Sequence, residues 1–563
     1  MTKRNKTRSL LALLCFISLL SFRVEAQRVE PLPQRAPSSP QKRRLVVALI
    51  IDQFRYDYLE RFNDLFTNGG FRRLVNQGAL FTNANFDYVP TFTAPGHASI
   101  FTGSAPALNG IVGNLWYDRA AGKTRTMVSD TEARLVTSRG LQSDREAPSP
   151  RSLTGTTIGD QIRLSNNFQS KVVAVSYKDR SAILPAGHRP NGAYWFNTEG
   201  GEFVTSDYYA KELPAWVKKF NSSERPDKYF NARWDRLLPL SAYRRAQEKN
   251  LDLQRSPLGN SFPYTLNGGE DKPGRRFYDA FQYTPFASEY LEKFARAAVE
   301  GERLGADDFV DLLSISFSSP DLAGHFYGPD SQETLDTYVR LDRLLAEFLN
   351  YLDQKIGLAR VTIFVTGDHG VSPVPEYVKS FAYDAERLPS RAVPDAVKKA
   401  LGARFGDERL YLAFLSDQIF LDHWLIAEKK LEASEVERVA GEAAMTVPGV
   451  TDYFTRSQIL DGRAASLMGK LVANGFNRQR SGDVALILKP FWFVVEGPLA
   501  ATHGSPYSYD RHVPLIFFGA GVRAGRYHAE CAPADIAPTL AAMLGVEMPS
   551  VSAGRVLAEA ISK

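Results

Sequence analysis

Four apolar runs lie beside residues of metal-ligand type, and no other feature of the chain restricts its fold as much. Leu45 to Ile51 runs straight into Asp52. Leu312 to Phe317 is followed by Asp321 and His325, and Val361 to Thr366 by Asp368 and His369. His503 comes late, in a Thr-His-Gly-Ser loop shortly before the run Val513 to Phe518. Near-continuous apolar strands suit a sheet covered on both faces. The carboxyl ends of parallel strands share one edge, and ligands bind there. The pattern therefore predicts an α/β fold with a mostly parallel central sheet, helices on both faces, and one edge where distant aspartates and histidines meet.

Two stretches read as βαβ units. In the first, helix-like spacing over Tyr56 to Asn76 follows the Leu45 strand and Gly78 closes it. In the second, Leu335, Tyr338, Val339, Leu341, Leu345, Phe348, Leu349 and Leu352 recur at helical spacing, with Gly357 as C-cap, before the Val361 strand. Lys171 to Ser176 is a further core strand, leading to Lys178 and Arg180. Residues 187–290, rich in Tyr, Trp, Gly and Asn, and residues 376–500 break the pattern. Both are expected to be insertions that cap the active edge, the first with a hairpin at Tyr194 to Phe196 and Glu202 to Thr205.

Lys3, Arg4, Lys6 and Arg8 precede the apolar stretch Leu10 to Phe22, and Val24-Glu25-Ala26 offers a cleavage site, so residues 1–26 read as a secretory signal peptide. An uncleaved membrane anchor is the alternative. Leu14 argues against lipidation at Cys15. Residues 27–44, rich in Pro, Ser, Arg and Gln, read as a linker, and the catalytic domain is expected over 45–550. The chain carries a formal charge of +5. Removing the first 26 residues takes away five basic groups and one acidic one, leaving +1, so charge makes no case for nucleic acid or membrane as partner. Cys531 is then the one cysteine, which rules out an intramolecular disulfide. No second segment is long and apolar enough to span a bilayer. The expected location is periplasmic or secreted.

Asp321 and His325, four residues apart, can face one metal from a helical turn. Asp368 and His369 can do so from a tight loop after a strand. Mixed carboxylate and imidazole donors suit zinc better than magnesium or calcium. Pro90-Thr91-Phe92-Thr93-Ala94-Pro95-Gly96-His97 places Thr93 as N-cap of a helix starting at Ala94, beside free N–H groups that would favour a phosphate. His97 is expected to serve the structure of that helix. His188, His423, His512 and His528 are expected to be ordinary surface or loop histidines, and Cys531 to be inert.

Together, Asp52, Thr-Phe-Thr-Ala-Pro-Gly-His, Asp321-x-x-x-His325, Gly367-Asp368-His369-Gly370 and Thr502-His503-Gly504 resemble the alkaline phosphatase superfamily. Within it the chain is similar to the phosphodiesterase/nucleotide pyrophosphatase-like branch, and most of all to secreted, phosphate-irrepressible alkaline phosphatases that use threonine as nucleophile. The resemblance implies two zinc ions. Asp321, His325 and His503 would hold one; Asp52, Asp368 and His369, with Thr93, would hold the other. It implies a phosphothreonine intermediate on Thr93, contact of Asn114 with a phosphoryl oxygen, and small phosphorylated metabolites as substrates. Lys178 and Arg180 match a Lys-x-Arg pair of threonine-type monoesterases, where two cations favour the more highly charged monoester. A nucleotide pyrophosphatase/phosphodiesterase on the same metals is the nearest rival, and a phosphonate hydrolase a more remote one. A sulfatase would need Cys or Ser and an arginine that Thr-x-Pro-x-His lacks. A binding protein that had lost catalysis would lack a ligand or nucleophile, and none is missing.

Overall fold

The computed structural model describes residues 42–247, 258–259, 261–495 and 497–562. The expected signal peptide, and residues 27–41 of the expected linker, lie outside the described residues. An eleven-stranded sheet forms the centre. Its five middle strands are parallel, in the spatial order Val361–Gly367, Leu45–Ile51, Asp311–Phe317, Val172–Ser176 and Gly192–Asn197. The first four are buried along their whole length, as their unbroken apolar runs require. Alternate residues feed different cores. Leu45, Val47, Leu49 and Ile51 pack with the helices Pro285–Gly301 and Gln332–Lys355, while Val46, Ala48 and Ile50 pack with the helix Ile536–Leu544. The expected α/β sheet with helices on both faces is the fold the chain adopts.

Register sets the active edge. Ile51 lies opposite Phe317 on one side and Gly367 on the other, so Asp52 and Asp368 leave neighbouring strands level with each other. The strand Leu515–Gly519 runs antiparallel to Val361–Gly367, with Leu515 opposite Thr366. An antiparallel strand begins where its parallel neighbours end, which brings the loop before it, and His503, to the same edge.

Three expectations need correction. The first crossover is not one helix: a short helix Tyr58–Arg61, a 3-10 turn and the helix Phe71–Gln77 replace it. Asp342 imposes the break, its carboxylate accepting from Thr67 N (2.6 Å), Thr67 Oγ1 (2.8 Å) and Phe71 N (2.7 Å). A Cβ on Gly70 would lie 2.2 Å from that side chain.

Residues 187–290 are not wholly an insertion. The expected hairpin exists, but its strands Gly192–Asn197 and Glu202–Ser206 continue the central sheet, because the first is apolar enough to pair in parallel with Val172–Ser176. The domain also reaches past both expected bounds. Arg43 donates to Met543 O (2.6 Å) and Arg44 to Asp307 O (2.9 Å), while Leu557 and Ala560 are fully buried.

Within residues 376–500 lies a four-stranded sheet of Tyr411–Leu415, Gln418–Leu421, Val484–Leu488 and Val450–Thr455. The helices Ala392–Phe405 and Ala433–Met445 give it an apolar core of its own. It meets the His503 loop around a cavity of about 50 Å³ lined by Gln418, Leu486, Trp492, His503 and Tyr509, among others.

Candidate metal centre and nucleophile

The active edge gathers the predicted ligands into two groups. Asp321, His325 and His503 form one and Asp52, Asp368 and His369 the other; within each, one ligand atom per residue lies within 4.8 Å of the rest. The geometry of the histidines is fixed by the backbone. His325 Nδ1 donates to Ala501 O (2.8 Å), His369 Nδ1 to Gly370 O (2.9 Å) and His503 Nδ1 to Thr91 O (2.7 Å). Each ring therefore carries its proton on Nδ1 and keeps Nε2 for a ligand, the usual arrangement behind metal-bound imidazole. The His369 and His503 rings stack with centroids 3.5 Å apart.

Two carboxylate oxygens in this edge are buried without a hydrogen bond, Asp52 Oδ1 and Asp368 Oδ2. His97 Nδ1 lies 3.2 Å from the latter, but its proton is directed at Thr93 O (2.8 Å). A buried charged oxygen with no donor is costly and calls for a partner. With three free imidazole nitrogens beside them, the residues present fit divalent metal ions of the nitrogen- and oxygen-binding kind.

The charges are strongly coupled. Burial, with Asp321 and Asp368 nearby, pushes the Asp52 carboxyl up. Burial acts the same way on Asp321, but His325 and Lys178 outweigh it and hold that carboxyl well down. His369 resists burial through Asp368 and Asp52 and rises to about 9, whereas burial and the neighbouring His369 and His325 hold His503 well below its ordinary value.

Thr93 stands between the groups, with Oγ1 3.4 Å from His369 Nε2 and 3.5 Å from Lys178 Nζ. It is the first residue of the helix Thr93–Thr102, and Phe92, in extended conformation, is the N-cap; the expected boundary was one residue later. The helix end offers few free donors. Ala94 N donates to Asn114 Oδ1 (2.9 Å), Pro95 has no N–H, and Gly96 N donates to Phe92 O (2.9 Å). Contacts to an anion therefore fall mainly to side chains. Gly96 is needed for this approach: a Cβ there would lie 2.1 Å from Asp368 O. His97 ties the helix to the sheet through Ser316 Oγ (2.9 Å), the structural role expected of it.

Lys178 Nζ bridges the groups, 2.6 Å from Asp52 Oδ2 and 2.5 Å from Asp321 Oδ2. Burial disfavours its charge, but Asp321 and Asp52 prevail and raise its pKa. Arg180 lies in the first turn of the helix Asp179–Ala186; its guanidinium lies 3.8 Å from Asp179, and among the described residues no hydrogen bond joins it to Thr93. Of the remaining histidines, His188 pairs with Asp160 (3.2 Å), His423 with Asp483 (2.7 Å), and His512 stacks on Tyr56, so these three are more engaged than expected of surface residues. Burial pushes the Cys531 thiol up to about 12, in keeping with an inert role.

Sequence reasoning missed Gln53. Fully buried at a φ of 67°, it donates from N to Asp368 Oδ1 (3.1 Å) and from Nε2 to Asp321 Oδ1 (2.8 Å), holding one carboxylate of each group. A Cβ on Gly324 would lie 1.7 Å from Gln53 Oε1, so the glycine between Asp321 and His325 makes room for it. Adjacency to Asp52 was the one available signal.

Residues 46–508 match the family described as Type I phosphodiesterase / nucleotide pyrophosphatase, and the chain belongs to that family, part of the alkaline phosphatase superfamily. Among relatives, it is 38% identical over 530 residues to alkaline phosphatase PafA of Elizabethkingia meningoseptica, covering 92% of this chain and 95% of that protein. It is 35% identical over 545 residues to alkaline phosphatase PhoV of Synechococcus elongatus, covering 96% of each. The crystal structure of wild-type alkaline phosphatase PafA superposes with a TM-score of 0.86 at 35% identity, covering 93% of this chain and 100% of that one. A PafA variant substituted at a threonine, an asparagine, a lysine and an arginine superposes equally well. The chain is an enzyme of this superfamily, a phosphatase.

Proposed function

We propose that this chain is a secreted, two-zinc alkaline phosphatase that hydrolyses phosphate monoesters through a covalent phosphothreonine, releasing inorganic phosphate from many small phosphorylated metabolites. The observation that carries the reading is the Lys178 ammonium, within 3.5 Å of the Thr93 hydroxyl and braced on a carboxylate of each ligand group. Asp321, His325 and His503 would hold one zinc ion; Asp52, Asp368, His369 and Thr93 Oγ1 would hold the other. When bound, the two ions would lower the pKa of the nucleophilic hydroxyl and stabilise charge on the departing oxygen.

The Thr93 hydroxyl gives up its proton to water and Oγ1 attacks phosphorus; the bond to the alcohol oxygen breaks, that oxygen takes up a proton from water, and the phosphoryl group is carried as a Thr93 ester. Water then attacks phosphorus, releasing phosphate and restoring the hydroxyl. Asn114 accepts from Ala94 N through Oδ1, which leaves its NH2 for a phosphoryl oxygen. Lys178 and Arg180 supply the positive charge that distinguishes a monoester from the less charged diester. The PafA variant with a threonine, an asparagine, a lysine and an arginine exchanged involves the same four residue types.

The rival phosphodiesterase reading shares the metals and Thr93 but has no use for the two cations. The ratio of kcat/KM for an aryl phosphate monoester to that for the matching diester, on zinc-loaded protein, separates them. A ratio well above one is expected; a ratio well below one moves the protein to the phosphodiesterase side.

A further inference from the structure

One side chain ties together distant parts of residues 376–500, including the stretch that leads into the His503 loop, a link that sequence spacing conceals. Arg387 stands on the short strand Glu386–Leu388, paired in parallel with Trp492–Val494, and its guanidinium lies 5.0 Å from the Phe493 ring centroid. Its Nε and Nη2 donate to the two oxygens of Glu376 at 2.6 and 2.9 Å. Nη1 donates to Leu499 O (2.9 Å) and Nη2 to Ala500 O (2.7 Å). This fork is held by ion pair, ring and backbone at once, with the Arg387 side chain only 14% exposed. Most of its donors are engaged within the protein, so it is not poised to hold a substrate.

Leu499 and Ala500 begin the segment that ends in His503. Ala500 N and Ala501 N donate to His325 O at 2.7 and 3.2 Å, and His325 Nδ1 donates back to Ala501 O at 2.8 Å. The segment thus joins two ligands of one group: it carries His503 and fixes the tautomer and orientation of His325. The Asp52, Asp368 and His369 group has its own supports, in Gln53 N and Gly370 O. Arg387 touches neither of them.

We propose that the Glu376–Arg387 pair is a positioning device for the Asp321, His325 and His503 group, setting that group's metal affinity far more than the other's. This rests on the two-metal reading given above. Outer partners that orient ligating imidazoles change metal affinity by ~10–100-fold when removed. If the pair served only to hold residues 376–500 together, its loss would lower thermal stability and weaken both metals together.

The test is zinc binding, read apart from activity. Parent, Arg387→Gln, Arg387→Lys and Glu376→Gln proteins are loaded with two equivalents of zinc and titrated with a chromogenic chelator, following zinc retained per chain. Arg387→Gln is expected to weaken one zinc by ~10–100-fold and the other much less. Arg387→Lys, able to keep one carbonyl bond, should lie between. In a His325→Ala background, already lacking that zinc, Arg387→Gln should change little further. Two zinc affinities at parent values in all three variants, or two that fall in parallel, overturn the proposal. A parent that holds fewer than two zinc ions overturns the two-metal reading itself. If Arg387→Gln does not fold, Glu376→Gln and Arg387→Lys carry the same comparison.

Discussion

Replacing Gly96 with alanine sets two local effects against each other. In a helix interior alanine is favoured over glycine by about 1 kcal/mol, so propensity alone predicts a more stable protein. Packing predicts the reverse. The new Cβ would lie 2.1 Å from Asp368 O and 2.8 Å from Asp368 Cβ, where real Cβ atoms essentially never come within 3.0 Å. The helix must therefore retreat by about 0.9 Å, the difference between 3.0 and 2.1 Å. Asp368 cannot yield easily, since its carboxylate accepts from Gln53 N and its backbone continues the buried Val361–Gly367 strand. Thr93 is three residues away on the same helix and moves with it, away from His369. A misplacement of ~1 Å at a reacting group can cost ~10²-fold in rate, which corresponds to about 2.7 kcal/mol of transition-state stabilisation. The assay is kcat/KM on an aryl phosphate, with Tm and zinc content of the same preparation. A Gly96→Ala enzyme within about threefold of the parent, or a raised Tm with full activity, refutes the argument.

Other substitutions separate the parts of the site. Lys178→Ala and Arg180→Ala should each cost ~10²–10³ in monoester kcat/KM and much less with a diester; equal losses on both substrates would show that these cations do not set specificity. Gln53→Glu replaces the donor to Asp321 by a like charge, and losing a buried hydrogen bond to a charged group costs ~1.5–3 kcal/mol. A lower Tm is expected, and an unchanged one would contradict the bridging role. Away from the metals, the hydrogen bond to Asp160 raises the His188 pKa. A group whose folded pKa is raised stabilises fully below its unfolded value of about 6.5 and loses that contribution as pH rises through the folded value. The Tm gap between parent and His188→Gln should therefore shrink with rising pH over that range; a constant gap would contradict the pairing.

The two groups of candidate ligands were legible because each member follows or precedes an apolar strand, and a parallel sheet has one edge at which such residues can meet. Asp52, Asp321, His325, Asp368 and His369 need no more than that rule. His503 needs one further step, the antiparallel sense of Leu515–Gly519, which sequence periodicity does not reveal. What escaped was long-range burial. Asp342 breaks the Tyr56–Asn76 pattern from a helix far along the chain. Gln53 takes a left-handed conformation beside a glycine in another helix, and Arg387 reaches a loop more than a hundred residues away. The strands Gly192–Asn197 and Glu202–Ser206 looked like an insertion because a Tyr- and Trp-rich composition masks the apolar run that pairs with Val172–Ser176.

The most direct test of the account is acid quench of zinc-loaded enzyme turning over an aryl phosphate, followed by mapping of the phosphorylated peptide. Phosphate is expected on Thr93 in the parent and absent from a Thr93→Ala enzyme that still holds two zinc ions. Phosphate on another residue, or phosphoenzyme trapped in Thr93→Ala, would contradict it.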